Sequence, residues 1–398
     1  MATSNWAWLP PELFSNIIDR LSVFDRVSCH YVCKSWRKAA QEKPVRQPPP
    51  ESPWLMFADP NKGCNFYSVA DNKLYRMNMD PLPDIRNYMW IGSSGGWLVI
   101  ADECSDLYLL NPITRTQIPL PSILPLPSIT AGSRDHEGNL NSYLIPFHSD
   151  GRYSLEYNIE EIRHYLFSKC KAAVSLSEEN SWTVMLLFMR GQRLAYARAG
   201  DDAWTAVDHG VCKDLILHDG LFYALMPSHT HYIVETWDLT AARPTPIRIK
   251  VAKSRTDLGR SYPYLAMSPS SPGKQLLLVK RVRDHENQFE YRTAGFEVYR
   301  LDKSGRSARW MRMQSLGDQT LFIGSNSCRS LSTRAFPKLK RNCIYSTDDI
   351  WKKAVHFPVE TRDIGVCNLE DGTMAPCCPE DIPRLNWPPP VWITPSLR

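Results

Sequence analysis

The feature that most constrains this chain is a change of hydrophobic period across the stretch "PVRQPPPESP" (44–53). Before it, residues 9–42 carry apolar side chains at helical spacing; after it, apolar residues gather in short runs closed by Gly, Asp, Asn or Pro. "WLMFA", "GWLVIADE", "DLYLLNP", "WTVMLLFM", "RLAYAR", "GLFYALM", "HYIVETWD", "QLLLVKRV" and "FEVYRLD" all read as strands, rich in β-branched and aromatic residues. Clustered prolines fix φ and remove backbone donors, so no helix continues through 44–53. The expected architecture is mainly β: a small α-helical N-terminal module, a stiff linker that decouples it from the rest, and an all-β domain. With 398 residues and 43% hydrophobic composition, one large core plus an appendage is affordable in size.

The strands also resemble one another. "KLYRMN" (73–78), "DLYLLN" (106–111), "RLAYAR" (193–198), "LFYALM" (221–226) and "FEVYRL" (296–301) are apolar strands built around a tyrosine. Self-similarity of this kind points to a propeller, and at ~40–45 residues per blade the stretch after the linker holds about six to eight blades. The tyrosine spacing is irregular, so a long sandwich or two β domains are the alternatives.

In the head, Pro10 and Pro11 suit the first turn of a helix and Glu12 complements its positive end. At 100° per residue, Leu13, Phe14, Ile17, Ile18 and Leu21 fall within an arc of about 140°, with Ser15, Asn16, Asp19 and Arg20 on the remainder. Leaving such side chains exposed costs ~1.5–3 kcal/mol each, and a module this short is too small to fold well by itself. Its oily face therefore needs a cover, either the β domain or another protein.

Residue order says more. "LPPELFSNIIDRL" is followed at once by "SVFDRVSCHYVCKSWRKAA", and the two together resemble an F-box: Leu9-Pro10, Glu12-Leu13, Ile17-Ile18, Leu21-Ser22, Asp25 at the next helix start, then Val32-Cys33-Lys34-Ser35-Trp36-Arg37. Arg26 and Cys29 stand where that family more often has leucine, and His30 where it often has arginine. The resemblance implies a three-helix module that docks on the Skp-type subunit of a Skp–cullin–F-box ubiquitin ligase. Leu9, Pro10, Leu13, Ile17, Leu21, Val32 and Trp36 are the positions it marks as Skp-facing or module-defining, without separating contact from core. "LGDQTLFIGSNSCRSLS" (316–332) with "FPKLKRNCIYSTDD" (336–349) resembles the C-terminal signature of a plant F-box family whose second domain is propeller-like. "SSGGWLVIADECSDLYLLNPITRTQIPLP" (93–121) resembles its first blades. In that pattern a glycine often replaces Lys338 and an aromatic Ser346. The expected domains are an F-box at 5–43, a linker at 44–53, a β-propeller-like substrate-recognition domain at 54–385 and a tail at 386–398.

Signals for chemistry are weak. "GSSGG" (92–96) satisfies the Gly-x-Ser-x-Gly pattern around Ser94, but a nucleophile elbow needs a helix after it and 97–101 reads as a strand, so a β-turn is expected. His136-Glu137 and His285-Glu286 lack the second histidine of a zinc helix, and Gly273-Lys274 lacks the flanks of a phosphate loop. Cys367, Cys377 and Cys378 give no Cys-x-x-Cys pair, while Cys29 and Cys33 lie one helical turn apart and are expected to fill the F-box core. Asp201-Asp202 and Asp348-Asp349 sit at turn positions. No catalytic, cofactor-binding or metal-binding residue is assigned.

Eleven cysteines with no charged-then-apolar leader and no glycosylation sequon read as reduced, intracellular thiols, cytoplasmic or nuclear. Apolar runs such as 184–189 fall far short of the ~18 residues of a membrane span. A net charge of +5 is mild, and "KLKR" (338–341) reads as a solvated basic loop rather than a nucleic-acid patch. "IPLPSILPLPSI" (118–129) reads as a loop wrapped over a blade. The expected function is a non-catalytic substrate adaptor: Skp and, through it, cullin on the head, and an unidentified target protein on the propeller. A propeller enzyme such as a hydrolase, or an F-box scaffold or ligand binder outside ubiquitination, are the alternatives.

Overall fold

Pro11 lies in the first turn of α1 (Pro11–Ile18), with Glu12 beside it at the positive end of the dipole. The next helix, α2 (Val23–Val32), is set by Ser22, whose hydroxyl accepts the Asp25 amide at 3.2 Å and donates to the Asp25 carboxylate at 2.7 Å. Cys33 is extended and breaks the chain into α3 (Lys34–Gln41). This computed structural model describes residues 9–41, 51–61, 63–80, 82–122, 129–134, 136, 141–146, 154–158, 161–162, 166–167, 170–177, 181–189, 193–207, 210–252, 262–269, 275–283, 292–348, 363–379 and 387–397. Most of the expected linker, 44–50, falls outside them.

Beyond the linker every quoted apolar run is a strand. Blade 1 holds β1 (Trp54–Ala58), β2 (Cys64–Ser68) and β3 (Lys73–Met77); blade 2 holds β4 (Met89–Ser94), β5 (Trp97–Ala101), β6 (Leu107–Asn111) and β7 (Thr116–Pro119). A separate three-stranded sheet follows: β8 (Thr130–Ala131), β9 (Ser142–Pro146) and β10 (Ser154–Asn158). Blade 3 is β11 (Lys171–Leu176), β12 (Trp182–Phe188), β13 (Arg193–Arg198) and β14 (Thr205–Val207). Blade 4 is β15 (Asp214–His218), β16 (Leu221–Pro227), β17 (Tyr232–Trp237) and β18 (Ile247–Ile249). Blade 5 is β19 (Tyr262–Ser268), β20 (Gln275–Arg283), β21 (Thr293–Asp302) and β22 (Arg309–Met313). Blade 6 contains β23 (Gln319–Ile323), β24 (Arg329–Ser332), β25 (Cys343–Ser346), β26 (Gly365–Asn368) and β27 (Met374–Ala375). The last strand, β28 (Val391–Ile393), joins blade 1.

Innermost strands touch in the order β28, β4, β11, β15, β19, β24. That order makes a six-bladed propeller, the lower end of the expected range, and leaves β8–β10 outside the ring as an insertion between blades 2 and 3. The insertion is not idle: Tyr143 and Ile145 of β9 are buried in the core cluster shared with β4 and β11. Each blade is covered on both faces by its neighbours, so β1, β4, β5 and β23 are buried at every residue and read in sequence as unbroken apolar runs rather than alternating ones.

Two expectations are corrected. Residues 391–393 are not part of a separate tail: β28 runs antiparallel to β1, pairing Trp54 with Ile393 and Leu55 with Trp392, and so ties the end of the domain to its beginning. The head is also not decoupled. Phe24 of α2 stacks on Trp54 with ring centroids 4.8 Å apart and lies 5.2 Å from Phe66 and 4.8 Å from Tyr75, all in blade 1. Val23 is buried in the same cluster, and its amide donates to the Glu51 carboxylate at 3.1 Å. Burial pushes the Glu51 carboxyl up, partly offset by that amide.

Candidate functional site

The arc of α1 divides. Phe14 and Ile18, each 3% exposed, turn into the head, where Phe14 meets the Trp36 ring edge-on at 5.1 Å. Leu13 is 49% exposed and Val32 61% exposed; Pro10 is also exposed, and Leu9, Ile17, Leu21 and Trp36 are half-buried. The sequence-marked residues thus separate: Trp36 belongs to the head's small core, while Pro10, Leu13 and Val32 present apolar surface to solvent. Arg26, which departs from the family pattern, has an internal role. Its guanidinium donates to the Ile18 carbonyl at 2.7 Å and pairs with buried Asp19 at 3.3 Å, satisfying the C-terminal end of α1. Cys29 is buried in the head as expected, and Cys33 is half-buried.

The propeller axis carries a second constellation that sequence reasoning did not assign. The loop 324–328 ("GSNSC") between β23 and β24 reaches across the ring: the Ser327 amide donates to the Ser93 carbonyl of blade 2 at 2.6 Å. Cys328 lies 3.7 Å from the Lys171 ammonium of blade 3, which in turn pairs with fully buried Asp214 of blade 4 at 2.5 Å. Asp214 also accepts the Leu265 amide of blade 5, and the Lys171 ammonium lies 4.7 Å from the Tyr264 ring centroid. One loop and one ion pair therefore join blades 2 to 6 and plug the axis. Burial pushes the Asp214 carboxyl up, with Lys171 opposing, and lifts the Cys328 thiol to about 12, so it is held as a thiol. Gly324 is required for close approach: a Cβ there would lie 1.9 Å from the Thr347 hydroxyl. The one signal for this plug was the "LFIGSNSC" stretch of the family signature, a resemblance with no stated role.

Other sequence candidates resolve structurally. Ser94 ends β4, its hydroxyl donating to the Val174 carbonyl at 3.4 Å, and Gly95 (φ +61°) turns the chain straight into β5, so the nucleophile-elbow pattern is a β-turn. "KLKR" is only partly a solvated loop: Lys338 pairs with Asp71 of blade 1 at 2.7 Å and Leu339 is buried, both fastening blade 6 to blade 1. Lys340 and Arg341 line a cavity of about 430 Å³. Glu137, Lys274, His285 and Glu286 lie outside the described residues, as does 123–128 of the proline-spaced loop. Among the described residues no three His, Cys, Asp or Glu side chains are grouped to hold a metal, and no helix is long and apolar enough to cross a membrane.

Comparison with known proteins decides the family. The KIB1-4 beta-propeller profile matches residues 66–368, more than half of the chain. The chain belongs to the KIB1-4 beta-propeller family. The F-box domain profile matches residues 6–47, so this member is an F-box protein with a propeller, in which the matched head is the three-helix module packed on blade 1. Among Arabidopsis thaliana relatives, "F-box protein SKIP23" is 24% identical, with 99% of this chain and 97% of that protein covered. "F-box protein KIB4" is 20% identical over 90% of this chain and 84% of that protein, and "F-box/kelch-repeat protein KIB1" is 23% identical over 86% and 77%.

Proposed function

We propose that this chain is the substrate-recognition adaptor of a Skp–cullin–F-box ubiquitin ligase, docking on a Skp-type subunit through the head and holding a target protein on the propeller. The observation that carries this reading is the apolar surface that survives the head's own docking. Blade 1 covers Val23 and Phe24, yet Leu13, Val32 and Pro10 stay exposed and Leu9, Ile17 and Leu21 are only half-buried. Apolar surface kept in water on so small a module fits a partner interface. In this reading the chain breaks no bond. It keeps target lysines near a ubiquitin-charged conjugating enzyme, and the rate gain comes from effective concentration. The partners place it inside the cell, in cytoplasm or nucleus.

The test is co-purification of the full chain with a Skp-type subunit and cullin, beside Leu13→Asp/Val32→Asp and Leu9→Ala/Pro10→Ala variants. Loss of Skp and cullin in the variants, with an unchanged thermal melt, is expected. Full retention of Skp by folded variants refutes the assignment of this surface.

A further inference from the structure

Blade 6 is one strand wider than its neighbour. Outwards from the axis it holds β24, β23, β25, β26 and β27, against β28, β1, β2 and β3 in blade 1. On the face turned to blade 1, Cys343, Tyr345 and Val366 are buried with Leu55, Phe57 and Tyr67. The ladder sets Asn368 opposite Cys343 and Ala375 opposite Val366, so both lie on that same face, yet Asn368 is half-buried and Ala375 exposed. β27 has no counterpart in blade 1 to cover it. This overhang leaves the cavity of about 430 Å³ already noted, with Cys343, Val366, Asn368 and Ala375 as its floor.

Two anchored turns wall the cavity. Asn342 (φ +55°) leads the chain into β25, and its side-chain oxygen accepts the Ser315 hydroxyl at 3.1 Å and the Leu316 amide at 2.8 Å, which fixes the backbone next to Lys340 and Arg341. The facing turn, 369–373, is held by the Gly372 amide on the Asn368 carbonyl at 2.9 Å and by the Glu370 amide on the Asn368 side-chain oxygen at 3.0 Å. The Leu369 amide donates to the Asn342 carbonyl at 3.0 Å and ties the two turns together. Arg341 and Glu370 therefore rise from neighbouring backbone on opposite walls, and with Lys340 they are exposed. Among the described residues none of the three is held in an ion pair. Asp371 of the same turn is taken up by the Thr373 amide and hydroxyl at 2.9 and 2.7 Å. Unpaired charges of opposite sign on two fixed walls, above a floor that includes buried Cys343 and Val366, complement a ligand that carries both signs. In an extended segment, side chains two residues apart lie on one face about 6.6–6.8 Å from each other, so an acidic and a basic residue at that spacing reach both walls at once.

We propose that the overhang of blade 6 beside blade 1 is a cleft for an extended segment of the target protein, whose acidic side chain meets Lys340 and Arg341 and whose basic side chain, two residues away, meets Glu370. This rests on the adaptor reading for the identity of the partner, but its chemistry is separately testable. The full chain is titrated by fluorescence polarisation with a labelled peptide of three Glu-Gly-Lys-Gly repeats, beside peptides in which Gln replaces every Glu or every Lys. Wild type binds the two-signed peptide more tightly than either counterpart. Arg341→Gln and Glu370→Gln each weaken that binding about two- to fivefold, the range for exposed pairs. The two substitutions change the net charge in opposite directions, so a diffuse electrostatic effect would move the affinity in opposite directions, whereas the cleft loses with both. The matching charge changes Arg306→Gln and Asp202→Asn, on blades 5 and 3, leave binding unchanged. Thermal melts of Arg341→Gln and Glu370→Gln stay at the wild-type value, because neither charge is paired within the chain; a lowered melt would show an internal partner and overturn the proposal. Equal binding of the three peptides, opposite responses of the two cleft variants, or equal losses in the distant controls each overturn it as well. Self-association of wild type that both cleft variants abolish would assign the cleft to a second copy of the chain instead. The Skp pull-down reports on the adaptor reading independently, so the two can fail separately.

Discussion

Replacing Phe24 with alanine tests whether the head and the propeller are one body. The ring is 6% exposed and touches Trp54 at 4.8 Å, Phe66 at 5.2 Å and Tyr75 at 4.8 Å. Truncating such a side chain costs ~3–5 kcal/mol, and each lost aromatic pairing accounts for ~0.5–1.5 kcal/mol of the effect beyond buried area. That cost falls on the docking of α2, because within blade 1 Trp54 and Tyr75 stay stacked on each other at 4.5 Å and Phe66 remains paired across β2 and β3 with Tyr75. At 1.4 kcal/mol per decade the docking equilibrium shifts by about two to three and a half orders of magnitude. The assay is hydrogen exchange followed by mass spectrometry on the full chain: amides of α2 should lose protection while those of β12 and β20 do not. Unchanged α2 exchange in Phe24→Ala would refute the reasoning, as would unfolding of the whole propeller. Within the adaptor reading the consequence is geometric. A loosened head still binds Skp but no longer holds the propeller at a fixed angle, so ubiquitin transfer to a bound target falls while both binding steps persist.

Gly324→Ala should destabilise the chain by ~1–3 kcal/mol in denaturant titrations, since its Cβ would meet the Thr347 hydroxyl at 1.9 Å; adding Thr347→Ala should recover part of that loss, and strict additivity of the two would disprove the clash. Lys338→Ala removes the ion pair that holds the Asp71 carboxyl below its ordinary value. Because the folded value is depressed, the stabilisation is present above the unfolded carboxylate pKa and is lost as pH falls through the folded one. Both groups are over a third exposed, so the cost should stay below ~1 kcal/mol, and an NMR titration should show the Asp71 value rising in Lys338→Ala. An unmoved Asp71 titration would mean that the pair does not form in solution.

Much of this was legible in the sequence. Strand positions could be read because both faces of a blade are covered, which leaves unbroken apolar runs such as "WLVIA" between turn residues. The start of α1 could be read because prolines and Glu12 act within one turn. The split of α1 into Phe14 and Ile18 inside and Leu13 outside could not, since an arc of apolar residues says that a face is covered and not by what. Phe24 was hidden for the same reason: its partners lie beyond a proline-rich segment that on local grounds ought to separate the two parts. The plug was hidden because Lys171, Asp214 and Cys328 come from three different blades and carry no local signature.

By itself, then, the sequence determined what depends on neighbours along the chain: helix starts, strand runs, turns, the F-box order of residues and a propeller-like repeat. The tertiary structure alone decided the six-blade count, the exclusion of β8–β10 from the ring, closure through β28, the docking of Phe24, and the meeting of Lys171, Asp214 and Cys328 from three blades. These are contacts between residues far apart in the chain, and their energies depend on which surfaces remain once all blades are packed. No local pattern carries that information.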